Sequence, residues 1–300
     1  MKTRLTTALA AGAIGLTLTA CGGDPTEGEQ SATDTITIGS AAFPENEIIA
    51  EIYAQALEAK DIKVEKKLNI GAREAYMPAL ENGEIDLIPE YSGNLLLYLD
   101  KNATATAPDE VFDALDAALP ENLIYFEKSE AEDKDSLNVT PEFSEQKGVK
   151  SIADLKKIDG LKVGTNPEFK ERPYGVPGME KVYGITGIEF TAISDSGGPA
   201  TLKALLDGKV DVANIYSTTP SILANKLVTL EDPENMIAAQ NVVPVMNEDK
   251  ATSEIADVLN GISAELTTED LLDLNSKNQG DDKTAPAELA KQWLTDKGLI

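Results

Sequence analysis

From residue 35 onward the chain alternates between two spacings of apolar side chains. Ile36 and Ile38 take every second position of Thr35–Gly39, a strand pattern. Ile48, Ile49, Ile52, Tyr53, Ala56 and Leu57 instead fall on one face of a helix over 45–60. Pro44 and Glu45 suit its first turn, where a missing N–H costs nothing and a carboxylate meets the positive end of the dipole. Ile62, Val64 and Leu68 predict the next strand, and Gly71 to Arg73 lead into a helix ending at Gly83. Strand, helix, strand with short joins implies parallel pairing through right-handed crossovers. The pattern continues with a helix over 109–119 and strands over 123–126 and 136–140. Past Pro141 come a short helix near Ile152–Lys157, a strand over 161–164, a Pro/Gly-rich loop to Gly178 and a strand over 188–192. Residues 241–246 read as a strand returning to the first lobe. The rest is helical, with Ile255, Val258, Leu259 and Ile262 on one face, then Leu271, Leu272 and Leu274, and last Leu289, Trp293 and Leu294.

One stretch occurs twice. Residues 79–87 (ALENGEIDL) and 204–212 (ALLDGKVDV) each read as a helix end, a glycine stop and a buried strand. The two are too far apart for a solenoid repeat and suit two similar α/β lobes, although helix-Gly-strand joins also recur by chance in α/β proteins. The expected organisation is α/β, with lobe 1 over 35–137 and 243–300, lobe 2 over 138–242, and two crossing strands that leave a cleft between them.

The first 34 residues follow neither spacing. Lys2 and Arg4 precede a mostly apolar stretch over 5–18, and Leu18, Thr19 and Ala20 lead to Cys21, the only cysteine in 300 residues. This layout resembles a lipoprotein export signal over 1–20, cleaved so that Cys21 becomes the lipidated first residue of the mature chain. The apolar stretch is too short to span ~30 Å of hydrocarbon comfortably. Residues 21–34, rich in Gly, Glu, Ser, Thr and Asp, read as a flexible tether. Roughly 265 residues then remain, enough for two lobes with cores of their own.

Composition removes whole classes of chemistry. With 52 acidic against 26 basic residues, the chain has no surplus cation to displace phosphate counterions, which argues against nucleic acid. Histidine is absent and the one thiol is assigned to the anchor, so His-assisted nucleophiles and His- or Cys-ligated metals are excluded. Asp133 and Asp135, flanking Lys134, look like the start of a calcium loop, but the Gly and distal Glu such a loop requires do not follow.

Gly39-Ser40 followed by Phe43-Pro44-Glu45, Gly83-Glu84-Ile85-Asp86 leading to Pro89-Glu90-Tyr91-Ser92-Gly93, Pro167-Glu168-Phe169 followed by Arg172-Pro173, and Tyr216-Ser217-Thr218 form an ordered set across the chain after the tether. In combination and order they resemble the substrate-binding subunits of osmoprotectant ABC importers, which capture glycine betaine, choline, carnitine or proline betaine. The resemblance implies a two-lobed type II periplasmic-binding-protein fold and an extracytoplasmic monomer anchored to the membrane by lipid. It also implies delivery to a permease driven by an ATPase, with no catalysis, no cofactor and no metal.

A quaternary ammonium has no N–H to donate, so it must be held by aromatic faces and nearby acidic oxygens. Tyr91 and Tyr216, just past corresponding strands of the two repeats, are the first cage candidates and match family cage positions; their alternative is ordinary core packing. Asp135 stands where relatives often carry a cage tyrosine and Ala200 where another is common, so Asp135 either pairs directly with the cation or is an exposed loop acid. Phe43, Tyr76, Phe169 and Tyr174 are possible replacements for the missing walls, Phe43 and Phe169 being equally suited to packing. Thr218 enters the set through its motif. For a ligand carboxylate, Arg73 at a helix start and Arg172 before a proline offer donor forks, whereas the lysine and asparagine of relatives are Ala41 and Ala42 here. Two rival readings are the same fold binding a polyamine or amino acid, and a lipid-anchored carboxylate-dependent hydrolase.

Overall fold

A computed structural model describes residues 35–300. The export signal and tether expected over 1–34 lie outside the described residues. The first group of elements is β1 (Thr35–Gly39), α1 (Pro44–Glu58), β2 (Lys63–Lys67), α2 (Arg73–Glu81), β3 (Leu87–Tyr91), α3 (Ser92–Leu99), α4 (Pro108–Ala118) and β4 (Leu123–Tyr125). The second is β5 (Leu137–Val139), α5 (Pro141–Lys147), β6 (Lys162–Thr165), α6 (Val176–Tyr183), β7 (Glu189–Ala192), α7 (Pro199–Leu206), β8 (Val212–Asn214), α8 (Ser221–Ala224) and β9 (Val228–Thr229). Strand β10 (Val242–Asn247) and helices α9 (Ser253–Glu265), α10 (Thr268–Gln279) and α11 (Pro286–Asp296) complete the chain.

The strands form two five-stranded sheets of matching plan, β2-β1-β3-β10-β4 and β7-β6-β8-β5-β9. In each, the first three strands are parallel and the fourth is antiparallel to its neighbour. That fourth strand comes from the far part of the chain: β10 returns to lie beside β3, with Val242 opposite Tyr91, and β5 lies beside β8, with Leu137 opposite Asn214. The architecture is therefore α/β in two lobes, with β5 and β10 as the crossing strands.

The duplicated stretch occupies the same place in each sheet. After α2, Gly83 adopts φ +70° and donates to the Leu80 carbonyl at 3.1 Å, while Glu84 N–H reaches the Ala79 carbonyl at 2.8 Å. After α7, Gly208 adopts φ +69° with the equivalent bonds to Leu205 (3.0 Å) and Ala204 (2.9 Å). Both are left-handed caps that favour glycine. The aspartate three residues on then hooks one strand to the next. Asp86 donates its N–H to the Thr37 carbonyl (2.7 Å) and accepts the Thr37 N–H on Oδ2 (2.8 Å); Asp211 does the same with Lys162, at 2.9 and 3.0 Å. The repeated Gly-x-x-Asp is thus a strand-entry device used once per lobe.

Helix α1 is buried on nearly every side because it lies under its own sheet and also against α9, α10 and α11, where Ile49, Ile52, Tyr53 and Leu57 join Leu259, Leu289, Trp293 and Leu294 in one core. A separate core in lobe 2 gathers Leu137, Val163, Phe169, Tyr174, Met179 and Val212.

One expectation needs correction, and one helix goes unannounced in the sequence. The loop expected to run to Gly178 holds a 3₁₀ turn at Pro167–Lys170 and gives way to α6 at Val176, because Pro177 sits in the first turn, where its ring favours helix initiation. The apolar residues after Tyr91 form α3, beginning directly at the end of β3 with no linker for turn residues to announce.

The strand hooks make a graded prediction. Removing a charged acceptor from a paired N–H costs about 1.5–3 kcal/mol where water cannot replace it. Asp86→Ala, at a part-buried bond, is expected to cost that much in urea unfolding, and Asp211→Ala, at an exposed bond, clearly less.

Candidate ligand-binding site

Between the lobes lies a cavity of about 230 Å³. Its aromatic wall is built from strand and helix ends. Phe43 is the extended residue capping α1, Tyr91 is the last residue of β3, and Tyr216 follows β8 at the equivalent point of the second lobe. The Phe43 ring stands 5.2 Å from that of Tyr216 at 61° and 5.9 Å from that of Tyr91 at 34°. Tyr76 also lines the cavity, its hydroxyl donating to Glu90 Oε1 at 2.7 Å.

The acidic wall rests on the crossing segment. Asp135 is buried in the lining and takes one amide from each lobe: Asn94 Nδ2 from α3 at 2.7 Å and Asn214 Nδ2 from β8 at 2.6 Å. Gln240 braces Asn94 in turn, donating to its Oδ1 at 2.8 Å. Asp133 accepts from the Ser217 hydroxyl (3.2 Å) and the Thr218 N–H (3.1 Å). Glu168 and Asp195 add further carboxylates to the lining. Asp195 also accepts the N–H groups of Ala200 (2.6 Å) and Thr201 (3.0 Å) at the start of α7.

Both arginines in the lining already have partners. Arg73 forms a bidentate pair with Glu90 at 2.8 and 2.7 Å, the two residues being 6% and 0% exposed. Burial opposes the charge on Arg73, but the Glu90 carboxylate outweighs it and holds the guanidinium pKa well above its usual value. Arg172 reaches from lobe 2 to Glu74 on α2 at 3.0 and 3.3 Å and lies over the Tyr174 ring at 5.9 Å.

Of the expected site residues, Phe43, Arg73, Tyr76, Tyr91, Asp135, Arg172 and Tyr216 come together around this cavity. Phe169 does not: at 1% exposure it packs edge-on to Tyr174 in the lobe 2 core, because the 3₁₀ turn directs it inward. Thr218 lines an adjoining cavity of about 600 Å³ instead, and its hydroxyl donates to Glu45 Oε2 at 2.5 Å. Tyr174 belongs to a third cavity, of about 270 Å³, on the far side of Arg73 and Arg172. The donor fork expected of Arg73 is occupied by Glu90. Asn94, Asn166, Glu168, Asp195 and Ser196 join the lining without having been anticipated. Two carry a signal in the sequence: Glu168 stands inside the Pro167-Glu168-Phe169 motif, and Asp195 is an acid shortly before the helix-starting Pro199.

The profile of the substrate-binding domain of ABC-type glycine betaine transport systems matches residues 34–296. The chain belongs to this family. Among curated relatives it is 27% identical over 282 residues to the glycine betaine-binding protein YehZ of Escherichia coli, covering 89% of this chain and 92% of the relative. It is 24% identical over 272 residues to the carnitine transport binding protein OpuCC of Listeria monocytogenes, covering 88% and 87%. Among solved structures, a glycine betaine/carnitine/choline ABC transporter protein matches with a TM-score of 0.68 at 23% identity, over 88% of this chain and 99% of the other. A choline-binding protein in complex with choline matches with a TM-score of 0.66 at 16% identity, over 88% and 89%. These two share the two-lobed fold. Members of the family are extracytoplasmic substrate-binding components of transporters rather than enzymes, and no helix among the described residues is long and apolar enough to cross a membrane.

The two arginine pairs are expected to differ sharply in stability. Arg73→Met strands a buried Glu90 and should cost about 3–5 kcal/mol in denaturant unfolding. Glu74→Gln, at a pair open to solvent, should cost under about 1 kcal/mol.

Proposed function

We propose that this family member captures a quaternary ammonium compatible solute between its lobes, taken as 35–137 with 243–300 and 138–242, and hands it to a permease energised by an ATPase. It works as a monomer held at the outer face of the membrane by lipid on Cys21. Closure is a hinge motion, driven only by the difference in ligand contacts between open and closed states. No bond is made or broken.

The observation that carries this reading is the pairing of one aromatic wall, Phe43, Tyr91 and Tyr216, with a wall of carboxylates in a cavity whose two guanidinium groups are already engaged. Ring faces attract a methylated ammonium, each well-placed ring contributing ~0.5–2 kcal/mol. Asp133 and Asp135 supply charge in surroundings where water screens it weakly. A ligand carboxylate gains much less. Arg73 and Arg172 already commit their Nε–Nη2 forks and their charge to Glu90 and Glu74, and Ala41 and Ala42 offer no side-chain donor. The positive head is therefore what the cleft reads, and choline suits it better than glycine betaine.

Calorimetric titration of the purified protein with choline, glycine betaine, carnitine, proline betaine and spermidine tests this ranking. Choline is expected to bind tightest, and Phe43→Ala or Tyr216→Ala to weaken it by ~0.5–2 kcal/mol each. Heat from spermidine alone would transfer the site to polyamines; no heat from any quaternary ammonium would sink the assignment. For the anchor, cell fractionation should find the protein with the membrane and Cys21→Ala in the soluble fraction.

A further inference from the structure

Asp133 lines both the main cavity and the adjoining one, as do Phe43, Asp195, Ser196 and Tyr216. Its Oδ1 accepts from Ser217 and Thr218, whereas its Oδ2 accepts none of the described hydrogen bonds. Glu45, which lines the adjoining cavity, is the opposite case. The Tyr91 hydroxyl donates to its Oε1 at 2.8 Å, and the Thr218 hydroxyl and Asn275 Nδ2 donate to its Oε2 at 2.5 and 2.6 Å. One threonine thus braces both acids, with its side chain on Glu45 and its main chain on Asp133. The pair is 3% and 6% exposed, and none of the described ion pairs involves either residue.

The charged and titratable groups around them offer little relief. Tyr91, Tyr216, Asp135 and Asp195 are neutral or negative. Lys283 lines the adjoining cavity, and Lys134 lies 3.5 Å from Glu132. Arg73 and Arg172 are paired with Glu90 and Glu74. Two like charges so enclosed are relieved most cheaply by protonating one of them. The donors decide which. Glu45, with three donors and the first turn of α1 behind it, keeps its charge; Asp133, whose Oδ2 accepts none of the described hydrogen bonds, takes the proton. Burial raises the pKa of both groups, and for Asp133 the neighbouring Glu45 charge raises it further, well above the usual carboxylate range.

On the reading that the cleft takes a cation, we propose that capture is proton-linked through Asp133: its carboxyl is neutral before the cation arrives, and a quaternary ammonium seated against Phe43 and Tyr216 drives the proton off Oδ2 to solvent as the charge pair forms. Glu45 is a positioning residue, holding the Tyr91 hydroxyl and keeping Asp133 protonated until then. The linkage makes the cleft a charge discriminator. A cation meets a newly formed negative charge, while a neutral molecule of the same shape meets a neutral carboxyl.

The signs follow from linkage. A bound cation lowers the pH at which Asp133 ionises, so affinity rises with pH between the free and bound values, by up to about tenfold per pH unit. Without ligand, a carboxyl whose folded pKa is raised contributes stability that is present at low pH and lost as pH rises through the folded value. Asp133→Asn, which stays neutral, should therefore unfold at a higher temperature than the native protein at neutral pH, the gap closing on acidification.

Two measurements test the proposal. Isotope-edited infrared spectroscopy of the ligand-free protein at neutral pH should show a protonated-carboxyl stretch that disappears in Asp133→Asn. Calorimetry with choline, in buffers of different ionisation enthalpy, should show release of up to one proton and an affinity that climbs with pH. Both effects should be absent in Asp133→Asn and for 3,3-dimethylbutanol, the neutral isostere of choline. Choline binding with equal heat in every buffer and a flat pH profile would overturn the proposal, as would a missing infrared signal. If no quaternary ammonium binds at all, the cation reading fails and proton-linked capture with it, but the infrared signal of a neutral Asp133 persists, which separates the two failures.

Discussion

At Glu45 four separated pieces of chain are held by one buried carboxyl group. It opens α1, accepts Tyr91 from the end of β3 and Thr218 from beyond β8, and accepts Asn275 from α10. The first two fix the aromatic wall, because Tyr91 is itself a ring of that wall and Thr218 lies two residues past Tyr216. The third ties the C-terminal helices to the cleft. A buried acid is costly unless its oxygens are satisfied, and here satisfying them requires both lobes and the C-terminal helices to be in position together.

The lobes present comparable rings because they are built alike. Each passes from helix through a left-handed glycine to an aspartate-hooked strand, and each strand delivers a tyrosine at its end. The antiparallel crossing strands β10 and β5 then lie beside β3 and β8, and the segment leading into β5 lines the cavity through Asp133 and Asp135. Asp135 illustrates the result. It stands just before β5 and receives an amide from each lobe, so its geometry depends on how the lobes are set about it.

Charge is arranged differently on the two sides of the cavity. Arginines meet carboxylates and are neutralised in pairs, whereas Asp133 and Asp135 meet hydroxyl, amide and main-chain donors and no cationic partner among the described ion pairs, Asp133 with only its Oδ1 engaged. This leaves a negative, aromatic space suited to a cation that brings no hydrogen-bond donor of its own.

The order of strands and helices, the duplicated stretch and the candidate tyrosines were legible along the chain because alternation, helical periodicity and glycine stops are local, and each reports on a few neighbouring residues. Family membership was legible for the same reason, through short motifs in a fixed order. The partners of the polar residues were not. Arg73 stands out in the sequence as a fork for a ligand, yet Glu90 reaches it first; Phe169 reads as a cage ring, yet a 3₁₀ turn directs it into the core. Asp133 reads in sequence only as part of an incomplete calcium-loop pattern, and becomes consequential because Thr218, which also holds Glu45, approaches it from a distant part of the chain. Local patterning thus determined most of the elements and the places of Tyr91 and Tyr216, while the tertiary structure decided where Phe169 packs and which charges are paired. Pairing depends on distances between segments far apart in sequence, and only folding sets those.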